Sequence, residues 1–116
     1  LEDITMKTSL KYAGKADLVW RQSNSESRLV DWVQKADSEA FQALIINPGA
    51  LTHSSVALCD ALKCFKGPKV EVHLSNTYKR EEFRRSRLSS ESCDYLVEGF
   101  GQDCYSIALF GLLERD

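Results

Sequence analysis

Two short apolar runs, "ALIIN" at residues 43–47 and "KVEVHL" at residues 69–74, do most to restrict the folds open to this chain. Each is rich in β-formers and feeds a small polar stretch, and the chain's two histidines sit at those ends, His53 in "NPGALTHSS" and His73 at the close of the second run. Hydrophobic strands running into polar loops are how an α/β protein places side chains at the rim of a sheet. "ALIIN" is nearly continuous, the pattern of an internal parallel strand covered on both faces. Between the runs, "THSSVALCDALKCF" has helical character, with Thr52 or Ser54 near its start and Gly67 and Pro68 at its end. A strand, helix, strand order implies a crossover and therefore parallel strands.

The alternation continues on either side. Residues 1–13 carry Ile4, Leu10 and Ala13 among polar residues and read as a helix stopped by Gly14. "ADLVWRQ", residues 16–22, reads as a strand and "SNSES" as a capping loop. Residues 28–35 read as a helix whose stripe of Leu29, Trp32, Val33 and Ala36 packs on a sheet. "REEF" is a short helical or turn element, "YLVEGFG" a weaker final strand and "CYSIALFGLLERD" a closing amphipathic helix. No repeat or linker interrupts the order, so residues 1–116 are expected to form one α/β domain with an open, doubly wound sheet.

The balance of 15 basic and 17 acidic residues, a net charge of −2, gives no general attraction to nucleic acid or an anionic membrane. No apolar run approaches the roughly 20 residues that cross a bilayer. The start "LEDITMK" lacks the basic and apolar regions of a secretory signal, so the expectation is a soluble, cytoplasmic protein. Cys59, Cys64, Cys93 and Cys104 are expected to be free thiols, because a chain with 43% hydrophobic residues needs no covalent framework. No zinc-ligand spacing joins them to histidine, and no glycine-rich phosphate loop is present, so neither a metal nor a nucleotide is expected.

In a parallel sheet His53 and His73 share the rim where ligands bind beyond the strand ends. Either histidine alone could cap a helix or satisfy a backbone carbonyl. Beside Asn47, Ser75, Asn76, Arg80 and Arg84, however, the imidazoles join amides, hydroxyls and guanidinium groups in a set suited to a polyhydroxy acid and poorly suited to a transition metal.

Four stretches carry a resemblance: "RQSNSES" at residues 21–27, "IINPGALTHSSVALCDAL" at 45–62, "VEVHLSNTYKREEFRR" at 70–85 and "EGFGQDCYSIAL" near the carboxyl terminus. In this order they resemble the successive motifs of type II 3-dehydroquinate dehydratase, across nearly the whole chain. The resemblance implies a flavodoxin-like, three-layer α/β/α fold, a dodecamer built as a tetramer of trimers, and cofactor-free dehydration of 3-dehydroquinate to 3-dehydroshikimate. By matching motif positions, it implies that His73 is the general acid and that Glu71 orients or supports it. Asn47 and His53 would hold substrate hydroxyls, the backbone amides at Leu74 and Ser75 would receive the substrate carboxylate, and Arg84 would contact a ring hydroxyl. Asp60 would reach an adjacent subunit's site, with Arg80 and Asn24 as further members of the polar rim. The chemistry asks for such parts independently: forming an enolate beside a ketone requires a base, an oxyanion partner and an acid for the departing hydroxyl. Histidine changes protonation near neutrality and arginine does not, which makes His73 the better acid.

The family's usual upstream "NGPNLNLLG"-like strand and its arginine/tyrosine lid, whose tyrosine is the base, have no counterpart in this sequence. In the family's 2-1-3-4-5 order that strand is central, so its slot between residues 17–22 and 43–47 is expected to need an upstream part, a partner fragment or a reorganised fold. Tyr12, Tyr78, Tyr95 and Tyr105 do not occupy the lid motif, and none is assigned as a replacement base. Ser25 and Ser27 stand where histidine and glycine are common, Cys59 replaces a common arginine, and "FRRSR" departs from an "FRH.S"-like pattern. The alternative reading is a catalytically inactive assembly or metabolite-binding relative.

Overall fold

A computed structural model describes residues 2–76 and 87–115. Tyr78, Arg80, Arg84 and the "REEF" element lie outside the described residues. Three parallel strands, β1 (Leu44–Ile46), β2 (Lys69–His73) and β3 (Tyr95–Glu98), form a sheet in the order β1-β2-β3. Ile46 pairs with Glu71, and His73 with Glu98. The helices are α1 (Glu2–Lys11), α2 (Glu26–Ser38), α3 (Val56–Cys64) and α4 (Asp103–Glu114). They complete a three-layer α/β/α architecture, since α2 and α3 cover one face of the sheet through Val33, Leu58, Ala61 and Leu62 against Ile46. Helix α4 covers the other, with Cys104 and Ala108 against Val70 and Val72. None of the described helices is long and apolar enough to cross a membrane.

Local chemistry explains the elements. Ser25 caps α2 by accepting from the Arg28 amide at 3.4 Å, Glu26 lies in its first turn and Lys35 in its last, both favourable to the helix dipole. The expected stripe holds: Val33 is buried and Leu29, Trp32 and Ala36 are half-buried. Helix α3 is capped by Ser55, which accepts from Leu58 N at 2.9 Å, rather than by Thr52 or Ser54. Thr52 belongs instead to a preceding 3₁₀ turn, Gly49–His53. Helix α1 buries Ile4, Thr8 and Tyr12 at a spacing of four, while Leu10 and Ala13 are exposed. The Tyr12 hydroxyl donates to Ser106 O at 3.2 Å, tying α1 to α4.

Two strand expectations need correction. Residues 16–22 form no strand. A strand requires a ladder partner, and within the described sheet none pairs with this segment, since β1 pairs only with β2. The segment docks through side chains: Trp20 Nε1 donates to Ser9 Oγ at 3.2 Å and its ring meets Tyr105 edge-on at 5.7 Å. For the same reason β1 is an edge of the described sheet, and β2, buried at all five positions, is the internal strand.

Candidate functional site at the carboxyl ends of the strands

Strand pleating decides which side chains of β2 meet which layer. Val70 and Val72 point to α4, which leaves Glu71 and His73 together on the opposite face. The burial of Glu71 is complete, and His73 is only 5% exposed. A carboxylate so placed must be supplied with donors. His73 Nε2 lies 3.0 Å from Glu71 Oε2, which also accepts from the Ser90 hydroxyl, while Oε1 accepts from the Ser89 hydroxyl. Thr52 Oγ1 is 3.5 Å from Oε1 and 2.6 Å from Ser89 Oγ, extending the network to the turn that ends in His53. The serines belong to a 3₁₀ turn, Ser89–Ser92, held to the Thr52 turn by Leu88 N donating to Thr52 O at 2.6 Å.

Burial pushes the Glu71 carboxyl up, but hydrogen bonds from His73, Ser89 and Ser90, with the charge on His73, outweigh it and hold its pKa below the ordinary carboxylate value. Glu71 is therefore an anion at neutral pH, with one oxygen committed to His73 Nε2. That fixes the ring and leaves Nδ1 as the nitrogen uncommitted to the carboxylate. The backbone is fixed as well: Gly99 N donates to His73 O at 3.0 Å and Gly101 N to Leu74 O at 2.8 Å. Both glycines have positive φ, +90° and +58°, as these turns beyond β3 require.

At the end of β1, the Asn47 amide oxygen accepts from Gly49 N at 3.1 Å and its Nδ2 donates to the Tyr105 hydroxyl at 3.3 Å, so both ends of the exposed amide are oriented. Because the strands are parallel, Asn47 and His73 open onto the same rim. His53 is half-buried at the end of its turn, and Leu74, Ser75 and Asn76 follow His73 at the surface. Asn24 is exposed in the loop before α2 and Asp60 on α3, and neither hydrogen-bonds the Glu71–His73 pair. Arg80 and Arg84 lie outside the described residues.

Sequence reasoning missed Thr52, Ser89, Ser90 and Tyr105. A signal for the serines existed: "KVEVH" places a glutamate in a strand that must be buried, and "SSES" is a downstream cluster of hydroxyl donors. All four cysteines are free. Burial and the nearby Glu71 carboxylate push the Cys93 thiol up to about 12, so it is not a nucleophile at neutral pH. Among the described residues no three His, Cys, Asp or Glu side chains are grouped to hold a metal ion.

Comparison with known proteins adds independent information. The family described as Dehydroquinase class II matches residues 1–113. The 3-dehydroquinate dehydratase of Thermus thermophilus is 50% identical over 97 residues, which cover 84% of this chain and 65% of that protein. The chain thus spans just under two thirds of that relative's length. The 3-dehydroquinate dehydratase of Bartonella tribocorum is 50% identical over 111 residues, 94% of this chain and 73% of that one. Among solved structures, a type II dehydroquinase from Butyrivibrio crossotus superposes with a TM-score of 0.92 at 33% identity, covering 98% of this chain and 79% of the other. One from Propionibacterium acnes superposes with a TM-score of 0.90 at 32% identity, with the same coverage.

Proposed function

This chain belongs to the class II dehydroquinase family, and on that premise we propose that it supplies the acid side of a 3-dehydroquinate dehydratase site, a lyase that releases water and forms 3-dehydroshikimate without a cofactor. The observation that carries the reading is the buried pair in which Glu71 Oε2 lies 3.0 Å from His73 Nε2. Loss of a proton beside the substrate ketone gives an enolate. Collapse of the enolate forms the carbon–carbon double bond and breaks the bond to the neighbouring hydroxyl, which must leave as water. A doubly protonated His73 keeps its Nε2 proton on Glu71 and passes its Nδ1 proton to the departing oxygen. The ring is then neutral and still held by Glu71. Because the anion is positioned before the reaction, supporting the positive ring demands no rearrangement.

The remaining roles follow the motif positions. Asn47 and His53 hold substrate hydroxyls, the amides at Leu74 and Ser75 receive the carboxylate, and Arg84 meets a ring hydroxyl. Arg80 and Asn24 complete the rim, and Asp60, exposed on α3, serves a neighbouring subunit's site. Association into trimers and then a dodecamer is supported by the exposed Tyr95 and Leu96 on the edge strand β3 and by Phe100 and Phe110, surface that a monomer would leave wet. A cytoplasmic location fits this reading.

The test is a direct dehydration assay that follows the conjugated carbonyl of the product. It compares this chain with a version extended by the upstream strand and tyrosine lid that the family resemblance calls for. Turnover by either supports the proposal; correctly folded protein with none in either form rejects it. Calorimetric binding of 3-dehydroquinate without turnover would instead mark a metabolite-binding relative.

A further inference from the structure

Beside the Glu71–His73 pair lies a second, part-buried ion pair that the dehydratase chemistry does not use. Arg87 is 9% exposed, and its guanidinium faces the Glu98 carboxylate, with an ionic contact of 2.5 Å from Nη1 to Oε2 and a hydrogen bond of 3.1 Å from Nη2 to Oε1. Glu98 is the ladder partner of His73. Directly paired residues of neighbouring parallel strands stand about 4.8 Å apart and project to the same face. The Glu98 carboxylate therefore belongs to the same face of the sheet as the His73 imidazole. Glu71 on the same strand and Glu98 on the next thus share a face with His73.

We infer that Arg87 is a positioning residue that engages Glu98, so that the His73 ring is held by Glu71 alone. The consequence concerns what the Nδ1 proton of that ring meets. With Glu98 clasped, the one carboxylate contact on His73 among the described residues is at Nε2. A Glu98 carboxylate released from Arg87 would compete for the Nδ1 proton, which the proposed chemistry keeps for the departing oxygen. Arg87 suits this task because a guanidinium stays charged and offers a fork that matches both carboxylate oxygens. Its place in the chain couples it to the rest of the site, since Leu88 bonds the Thr52 turn and Ser89 and Ser90 bond Glu71. The pair also departs from a plain surface pattern: a buried arginine meets a half-buried glutamate beside a strand end, where a charge without a partner is costly.

The catalytic consequence rests on the dehydratase reading, whereas the ring consequence does not, so the test reads both. Nitrogen-15 NMR of the imidazoles reports tautomer and hydrogen bonding directly, and with two histidines in the chain the assignment needs only His53→Gln as a control. The wild-type protein should show a His73 ring hydrogen-bonded to a carboxylate at Nε2 and not at Nδ1. Arg87→Met should shift the His73 Nδ1 signal to that of a nitrogen hydrogen-bonded to a carboxylate and lower kcat about tenfold with KM within about twofold, the split expected when chemistry and not binding is affected. Arg87→Lys, and the double variant Arg87→Met with Glu98→Gln, should both return the His73 signals and most of kcat toward wild type. A clasp with a purely structural role would leave the double variant as impaired as the single one. Where Arg87→Met does not fold, Arg87→Gln keeps one donor to Glu98 and should give a smaller shift in the same direction. An unchanged His73 ring in the single variants, or a double variant no better than Arg87→Met, would overturn the inference. If neither this chain nor its extended form shows turnover, the dehydratase reading fails, and the ring signals still decide the role of Arg87.

Discussion

Replacing Glu71 with glutamine separates the shape of the site from its charge. In the carboxylate, Oε2 meets His73 Nε2 at 3.0 Å and Ser90, while Oε1 meets Ser89 and lies 3.5 Å from Thr52 Oγ1. A glutamine in the same rotamer can keep its oxygen on the His73 side. Its NH₂ then points at the hydroxyls of Ser89 and Thr52, which can turn to accept. The geometry survives and the charge is lost. Hydrogen bonds to a charged group contribute roughly 1.5–3 kcal/mol and neutral ones roughly 0.5–1.5. The loss of support for a protonated ring is therefore about 1–2 kcal/mol, a fall in kcat of about 5- to 30-fold. Glu71→Leu behaves differently, because it strips the acceptors from a buried imidazole and two hydroxyls. An unfolding cost of about 3–5 kcal/mol is expected, the range for breaking a buried ionic contact from one side. Urea denaturation of both variants and stopped-flow dehydration by the glutamine variant measure these effects. Wild-type kcat in Glu71→Gln, or wild-type stability in Glu71→Leu, would refute the reasoning.

Three further outcomes follow from particular contacts. Since the Glu71 pKa is lowered from its ordinary 4.5, its contribution to stability is intact above that value and is lost as pH falls through the lower folded-state pKa. The urea midpoint of wild type should thus drop more steeply on acidification than that of Glu71→Gln. Gly67→Ala would bring a Cβ within 2.3 Å of the Gln42 backbone carbonyl, so the turn between α3 and β2 must shift, at about 1–3 kcal/mol and several degrees in Tm by calorimetry. Tyr105→Phe removes the acceptor 3.3 Å from Asn47 Nδ2 but keeps the ring against Trp20; KM should rise about 3- to 10-fold with kcat little changed, as measured by steady-state assay.

The parts of this molecule that were legible in its sequence are those set by periodicity. The apolar runs around Ile45, Val70 and Leu96 became the three strands, and the Val33 stripe marked α2. Glu71 and His73 could be singled out because they match a family motif, and their contact was foreshadowed by a spacing of two in a strand. What failed depended on partners distant in sequence. "ADLVWRQ" has strand composition, but composition supplies no ladder partner, and the segment was held by Ser9 and Tyr105 contacts instead. Thr52, Ser54 and Ser55 are equally good caps by residue type; the turn geometry selected Ser55 and released Thr52 to the Glu71 network. Ser89 and Ser90 reach Glu71 across 18 and 19 residues, and Arg87 reaches Glu98 across 11, separations to which a local reading is blind.

The central claim is that His73, held by Glu71, donates the proton to the departing hydroxyl. Single-turnover dehydration by His73→Ala in the assembled protein tests it most directly, with folding, oligomer size and substrate affinity checked alongside and His53→Ala as the comparison. General acid catalysis typically contributes about 10²–10⁴ in rate. The account predicts a loss of that order in the chemical step for His73→Ala with binding largely retained, and for His53→Ala a loss mainly in affinity. A His73→Ala protein that folds, binds substrate and turns it over at close to the wild-type rate would contradict it.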